Sequence, residues 1–362
     1  MQSRRGFIKT TILGGATTLL PLQIQIASAS GVWLMPDEGD RHAATWMAFG
    51  PSEAIWGRRL AAAAQDNLAS IAQAIAEFEP VNMLVRQAEY ETAARKCGPK
   101  VKLVVQDIDD LWIRDNGPVF VKSGAGMGGV NFNFNGWGNK QTHAADAKVA
   151  AGVAARANAQ LVTSSLVLEG GGIEVDGEGT AIITESCVLN ANRNPNVSKP
   201  ACEAELRRVL GITKVIWLPG ITGKDITDGH TDFYARFAGP ARVVAGLDAD
   251  PHSFDHDVNL RHLEILRGAT DAKGRKLKVA VLPGPGFVRP KYKNNEFAAG
   301  YVNFYVCNGG VIAPQFGDAA ADEKAGAILR GLFPRRKIVQ INVDAIAAGG
   351  GGIHCATQQQ PV

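Results

Sequence analysis

The sequence predicts an α/β chain in which short strands and amphipathic helices alternate along its length. Three observations carry this. The segments RRLAAAAQDNLASIAQAIAEF (58–78), AADAKVAAGVAARAN (144–158) and KPACEAELRRVLG (199–211) repeat apolar residues three and four apart, the spacing of one helix face. Between and after them lie brief apolar runs with turn chemistry: VKLVV (101–105), VNFNF (130–134), GIEVDGEGTAIIT (172–184), KVIWLPG (214–220), ARVVAGL (241–247), KVAVLPG (278–284) and YVNFYVCNGGVIAP (301–314). The last holds Asn308-Gly309 between two apolar runs, a strong hairpin signal. Finally, no tract rich in Pro, Ser or charge divides residues 30–362, so a single domain is the simplest organisation. No sequence repeat is visible, although strand and helix units recur at comparable intervals.

The N-terminal stretch SRRGFIKTTILGGATTLLPLQIQIASA (3–29) stands apart from that pattern. Paired arginines, an uncharged stretch and the small-residue site Ala27-Ser28-Ala29 read as an export signal. Arg4 and Arg5, followed by Phe7 and Lys9, resemble the twin-arginine class, so the expected partner is the twin-arginine export machinery and the expected location the periplasm. Pro21 and Gln23 interrupt the apolar run, which is then too short for a lasting membrane anchor.

Composition narrows the partners further. The 362 residues are 46% hydrophobic and 20% charged, as expected of a globular protein. Residues 1–29 carry Arg4, Arg5 and Lys9 and no acid, so the rest of the chain balances 35 basic against 35 acidic residues. A neutral mature chain offers no electrostatic attraction to nucleic acid or to a membrane surface. Five cysteines without a CxxC argue against a zinc knuckle or a disulfide-dense scaffold, and their odd number leaves at least one thiol free or paired between chains.

Two familiar patterns fail on context. Gly124, Gly126 and Gly129 satisfy GxGxxG, but strand-like runs flank them where a dinucleotide fingerprint needs a strand and then a helix, so a hairpin loop is expected. His252 and His256 stand one helical turn apart without the Glu of HExxH, and read as a solvated helix start.

A different set of polar residues sits in apolar or glycine-rich surroundings. DDLWIRDNGPVFV places Asp115 ahead of Gly117-Pro118, and LEGGGIEVDGEG places Glu169 directly before three glycines. DGHTDFYARF offers His230 and Asp232, which on a strand would share one face. The terminal GGGGIHCATQQQPV sets Cys355 behind four glycines, where a thiol can be brought close to a ligand. A soft nucleophile, an imidazole and three carboxylates suit a guanidinium. Carboxylates match its N–H donors, a thiolate attacks its carbon, and a histidine protonates the departing ammonia. Each residue alone also has a structural reading: a turn aspartate, a strand-end glutamate, a half-buried imidazole, a cysteine in a flexible tail.

Taken together, these stretches resemble the agmatine deiminase family, related to the bacterial peptidylarginine deiminases. MPDE, HAATWM, FEPVNMLV, DDLWIRDNGPVFV, NFNFNGWG, LEGGGIEVDGEGT, LNANRNPN, DITDGHTDFYARF, SFDHDVNLRHLEIL, YVNFYVCNGGVIAPQFGD and GGGGIHCATQQQP carry the resemblance across nearly the whole mature chain. It implies a pentein fold, a five-bladed α/β propeller around a central channel. It further implies hydrolysis of agmatine to N-carbamoylputrescine and ammonia, with Cys355 as nucleophile, His230 as general acid and base, Glu169 orienting that imidazole, and Asp115 and Asp232 clamping the guanidinium. Neither metal nor cofactor is implied, and a homodimer is expected because such proteins are often dimeric. Gly39 and Phe49-Gly50 depart from the family's aromatic and Trp-Pro signatures, and this stretch is expected to line the side of the pocket that receives the substrate tail. Peptidylarginine or free arginine as substrate, amidino transfer, and guanidine binding without turnover stay open as alternatives. The chain ends at Val362 without an added domain, and no cationic partner for an arginine carboxylate can be named, so agmatine is preferred.

Overall fold

Five units of one design follow each other along the computed structural model, which describes residues 32–362; the export-signal reading of residues 1–29 lies outside them. The strands are β1 (His42–Ala48), β2 (Val81–Val85), β3 (Val101–Val105), β4 (Val119–Ser123), β5 (Gly126–Asn131), β6 (Gln160–Thr163), β7 (Ile173–Val175) and β8 (Thr180–Thr184). They continue with β9 (Lys214–Leu218), β10 (Ala235–Phe237), β11 (Arg242–Leu247), β12 (Lys278–Pro283), β13 (Tyr305–Cys307), β14 (Gly310–Gln315), β15 (Lys337–Asn342) and β16 (Gln358–Pro361). They form five sheets, in the orders β4-β5-β6, β7-β8-β9, β10-β11-β12, β13-β14-β15 and β16-β1-β2-β3.

In each sheet an antiparallel pair is extended by a parallel strand. A parallel neighbour needs a crossover connection. The helices Glu53–Ile75, Val149–Arg156, Lys199–Leu210, His256–Gly268 and Ala319–Leu332 supply it, one per unit, and Tyr90–Cys97 supplies a second in the four-stranded sheet, where β3 pairs parallel with β2. Lys199–Leu210 illustrates how local chemistry bounds such a helix. Ser198 accepts a hydrogen bond from Ala201 N, Pro200 lies in the first turn, Cys202, Leu206, Val209 and Leu210 are buried, and Gly211 ends it in the left-handed region at φ +70°.

The ring is closed by the C-terminus. β16 pairs antiparallel with β1, Thr45 opposite Gln359 and Trp46 opposite Gln358. The final residues are therefore a sheet strand, and five sheets match the five blades implied by the resemblance. Among the described residues no helix is long and apolar enough to cross a membrane. All five cysteines are buried, and none is bonded to another.

Several local expectations hold. Gly124 lies in the β4–β5 hairpin loop, Asn308-Gly309 turns β13 into β14 with Gly309 at φ +77°, and His256 opens a helix after an exposed His252. Others shift. VNFNF leaves the sheet after Asn131, because Asn133 takes the left-handed region at φ +56° and its side chain bonds to Ser164 O and Leu166 O. YVNF (301–304) is not a strand either, although Tyr301, Val302 and Phe304 are buried. Asn303 there accepts a hydrogen bond from His354 N, which draws the chain toward the last segment instead of a neighbouring strand.

Candidate active site

The segments that lead into the first strand of each unit converge on one another. Asp115 precedes β4, Glu169 precedes β7, His230 and Asp232 precede β10, Asn303 precedes β13 and Cys355 precedes β16. All six are buried. Thus the five residues singled out in the sequence, drawn from four units, come together at the centre.

Asp115 sits in a short helix, Ile113–Asn116, and accepts hydrogen bonds from Trp137 Nε1 at 3.0 Å and Gly171 N at 3.2 Å. Its other neighbour is His230, with Nδ1 3.7 Å from Oδ1. On the far side of the ring, His230 Nε2 lies 3.3 Å from Glu169 Oε2. Arg193 Nε reaches both oxygens of Glu169, at 2.8 and 3.0 Å, and its NH1 donates to Asp228 at 2.8 Å. Glu169 is thereby fixed before it touches the imidazole.

His230 and Asp232 are not on a strand, contrary to the expectation from their spacing. Asp228 and Gly229 have φ of +61° and +87°, so the chain turns sharply into a 3₁₀ turn at Thr231–Phe233, and β10 starts only at Ala235. Both side chains still reach the centre. Asp232 Oδ2 accepts from His354 Nδ1 at 2.7 Å, whereas its buried Oδ1 has no hydrogen-bond partner among the described residues. His354 Nε2 in turn faces Glu38 Oε2 at 2.8 Å, and Glu38 also binds Arg114 at 3.1 Å and Arg236 at 2.7 Å.

Cys355 Sγ lies 3.6 Å from Asp232 Oδ2 and 3.3 Å from Asn303 Nδ2. A Cβ placed on Gly171 would stand 2.6 Å from His230 Nδ1, 2.8 Å from Asp115 Oδ1 and 3.2 Å from Asp232 Oδ2. The bare glycine is what lets these three groups approach one point.

The glycine run before Cys355 works mainly by the same device. A Cβ on Gly349 would meet the Trp56 ring at 2.2 Å, on Gly351 the Trp112 ring at 2.1 Å, and on Gly352 Asn303 Oδ1 at 2.3 Å; within 349–352 the left-handed backbone is confined to Gly350, at φ +86°. The two indoles stack with ring centroids 5.8 Å apart, and the Asp110 carboxylate accepts from both, at 2.8 Å from Trp56 and 3.1 Å from Trp112. Close approach, more than backbone freedom, explains these residues.

A cavity of about 250 Å³ opens on this centre, lined by Asp115 and Cys355 and walled by Trp56, Trp112, Trp137 and Phe233. No Lys or Arg is among its lining residues. A larger cavity of about 540 Å³ adjoins it across Ile226, Thr227, Phe233 and Ala348–Gly350. Gly39 and Phe49-Gly50 line neither, which corrects the expectation that they face the substrate tail. Gly39 O accepts from Arg336, and Gly50 is pressed against the backbone of Asp110 and Leu111, so both serve packing.

Charge in the site follows from burial and proximity. Burial alone would strip His230 of its proton, but Asp115, Cys187 and Glu169 hold its titration well above the usual imidazole range. Burial, reinforced by Asp232 and Asp115, pushes the Cys355 thiol well above its ordinary range. Burial also lifts Asp115 to about 6, against the pull of His230. Burial opposes ionisation of Asp232 and Glu169 as well, yet the hydrogen bond from His354 in the first case, and His230 with Arg193 in the second, keep both below the usual carboxylate values. The empty site at neutral pH thus pairs a protonated imidazole with a protonated thiol. Glu169, Cys187 and His230 offer ligand atoms within 4.8 Å of one another, but Arg193 already occupies Glu169 with a positive charge that would repel a metal ion.

Glu38, Trp137, Arg193, Asn303 and His354 were not singled out by sequence reasoning. Each lies inside a quoted motif, yet no local spacing relates them, because their partners stand far off in sequence, from 22 residues for Trp137 and Asp115 to 316 for Glu38 and His354.

Residues 34–361 match the sequence profile of the Porphyromonas-type peptidyl-arginine deiminase family. The chain is 45% identical over 338 residues to a Streptomyces coelicolor protein provisionally named as an agmatine deiminase, covering 90% of this chain and 98% of that one. It is 39% identical over 356 residues to the agmatine deiminase of Pseudomonas fluorescens, covering 90% and 95%. Its structure resembles that of the agmatine deiminase of Enterococcus faecalis with a TM-score of 0.86 and 33% identity, covering 91% and 96%.

Proposed function

Since the chain belongs to the Porphyromonas-type peptidyl-arginine deiminase family and has the pentein fold of the agmatine deiminases, we propose that it hydrolyses agmatine to N-carbamoylputrescine and ammonia. The observation that carries the reading is the meeting of His230, Asp115 and Asp232 around Gly171, with Cys355 Sγ 3.6 Å from Asp232, beside a cavity without basic lining.

The guanidinium donates to Asp115 and to the free oxygen of Asp232. Its charge, arriving between the two carboxylates that oppose thiol ionisation, favours the thiolate, and the thiol proton leaves to solvent. Sulfur attacks the guanidinium carbon. His230 gives its proton to the departing nitrogen, the C–N bond breaks, and ammonia leaves an S-alkylthiouronium on Cys355. Neutral His230, steadied by Glu169, then takes a proton from water as the oxygen attacks the same carbon. The C–S bond breaks, the sulfur regains from solvent the proton it gave up, the oxygen's remaining proton is taken up by ammonia, and the ureido product departs; guanidinium and water have become a urea and ammonium.

A cavity with acidic and aromatic walls suits a guanidine whose tail carries no carboxylate. Leaving a carboxylate unpaired there costs several kcal/mol, so agmatine is expected to exceed free arginine in kcat/KM by at least about a hundredfold. Colorimetric detection of the ureido product from agmatine, arginine, peptidylarginine and methylated arginines tests this; equal rates with arginine would refute the substrate assignment.

The pH profile follows from Asp115, whose carboxyl titrates at about 6 in the free enzyme. As pH falls through that value the clamp loses a charge, and kcat/KM is expected to decline along an acid limb. Asp115→Asn has no such proton to take up and should lack this limb.

The N-terminal segment supports export to the periplasm by the twin-arginine machinery. Replacing Arg4 and Arg5 together with lysine should leave precursor in the cytoplasm, as read by fractionation; unimpaired export would end this reading. The expected homodimer is read by light scattering on the mature protein.

A further inference from the structure

We propose that Asn303 is a further catalytic residue, whose side-chain amide donates a hydrogen bond to Cys355 Sγ and stabilises the thiolate that forms when the guanidinium binds. This rests on the reading of Cys355 as the nucleophile. Asn303 occupies, in the unit that starts with β13, the place that Asp115, Glu169, His230 with Asp232, and Cys355 occupy in the other four. It is buried, 1% exposed, in a segment that the apolar pattern marks as strand but that turns inward instead.

Its orientation is fixed by an unambiguous donor. The backbone N–H of His354 donates to Oδ1 at 2.9 Å, so the amide NH₂ is placed as the donor and is the end nearer the sulfur, with Nδ2 3.3 Å and Oδ1 3.6 Å from Sγ, and Nδ2 3.4 Å from Asp232 O. Gly352 makes room for this, since a Cβ there would strike Oδ1 at 2.3 Å.

The chemistry of the site selects an amide for this position. Sγ stands beside Asp232 and near Asp115, both of which oppose a thiolate. A lysine or arginine would stabilise the thiolate but repel the guanidinium that must lie against it. A neutral donor stabilises the sulfur anion without opposing the substrate's charge.

Asn303→Asp separates this role from a structural one, because aspartate keeps the oxygen that accepts from His354 N and loses the donor to sulfur. Asn303→Ala loses both. Alkylation of Cys355 by iodoacetamide is followed against pH without substrate and located by mass spectrometry, alongside kcat and KM for agmatine. Loss of one hydrogen bond to a charged group should displace the alkylation profile to higher pH, lowering the rate at any one pH about tenfold or more, and should lower kcat to a similar degree with little change in KM. Asn303→Asp should be affected at least as strongly as Asn303→Ala, and should keep the wild-type unfolding temperature more closely. Should one variant fail to fold, the other is judged by the same two measurements. Alkylation and kcat within threefold of wild type in Asn303→Asp would overturn the proposal and leave Asn303 as a prop for the His354 N–H. A fall in kcat with an unmoved alkylation profile would overturn it too, while leaving Cys355 as nucleophile. Failure of the underlying reading would show differently, as turnover that survives loss of the Cys355 thiol.

Discussion

Cys355→Ser is expected to fold normally and to lose turnover by at least about 10⁴-fold, the scale on which removal of a covalent nucleophile acts. Among the residues lining the 250 Å³ cavity, Cys355 alone carries a thiol, and its Sγ stands against Asp232 and Asn303. A serine hydroxyl fills the same space but is far less acidic than a thiol. The two carboxylates that already oppose ionisation of Cys355 would oppose an alkoxide still more. Circular dichroism and thermal unfolding check that the fold persists, because the swap leaves the glycine-bounded loop and the β16–β1 pairing untouched. In the wild-type enzyme, mass spectrometry of a trapped substrate adduct should place it on Cys355. Cys187 is the informative competitor, since it is also buried near His230, but it donates to Glu169 at 3.5 Å and does not line the cavity. An adduct on Cys187, or turnover surviving in Cys355→Ser, would sink the mechanism.

The clamp variants Asp115→Asn and Asp232→Asn should move two measurements in opposite directions. Leaving the guanidinium without one charged partner in a water-poor site costs on the order of 3–5 kcal/mol, so kcat/KM should fall by about two to four orders of magnitude. The reactivity of Cys355 toward iodoacetamide should rise instead. Burial comes first among the causes that push the thiol up, followed by Asp232 and then Asp115, so removing either charge lowers its titration and increases the thiolate present at a given pH. Asp232→Asn should be the more damaging. Asp232 answers the Nδ1 of His354, and an asparagine amide can satisfy that donor only by turning its own NH₂ toward the substrate. Both variants turning over agmatine at near wild-type kcat/KM would refute the clamp.

Much of the local structure was legible. Apolar spacing found the helices Lys199–Leu210 and Val149–Arg156, and turn chemistry found the β13–β14 hairpin. The chemistry-bearing residues could be noticed because a carboxylate, an imidazole or a thiol in glycine-rich apolar surroundings is unusual. Their supports were not noticeable in the same way. Arg193 in LNANRNPN looks like a solvated loop residue until its guanidinium is seen on Glu169, and His354 beside Cys355 looks incidental until its ring is seen between Asp232 and Glu38.

The glycines show where the boundary lies. From sequence, residues 349–352 signify a relaxed backbone near a thiol; in the folded chain three of the four are sites where Trp56, Trp112 and Asn303 press against a bare Cα. What the sequence by itself determined is local: the periodicity of each helix and strand, the turns, the charge balance, and the motifs whose resemblance names a family. What only tertiary structure decided is which of these pieces meet. Periodicity is a property of neighbouring residues, whereas β16 pairs with β1, Asn303 answers Cys355 and Glu38 reaches His354 across long stretches of chain. Such pairings exist only when the ring of five sheets closes, and no short window of residues contains the free energy of that closure.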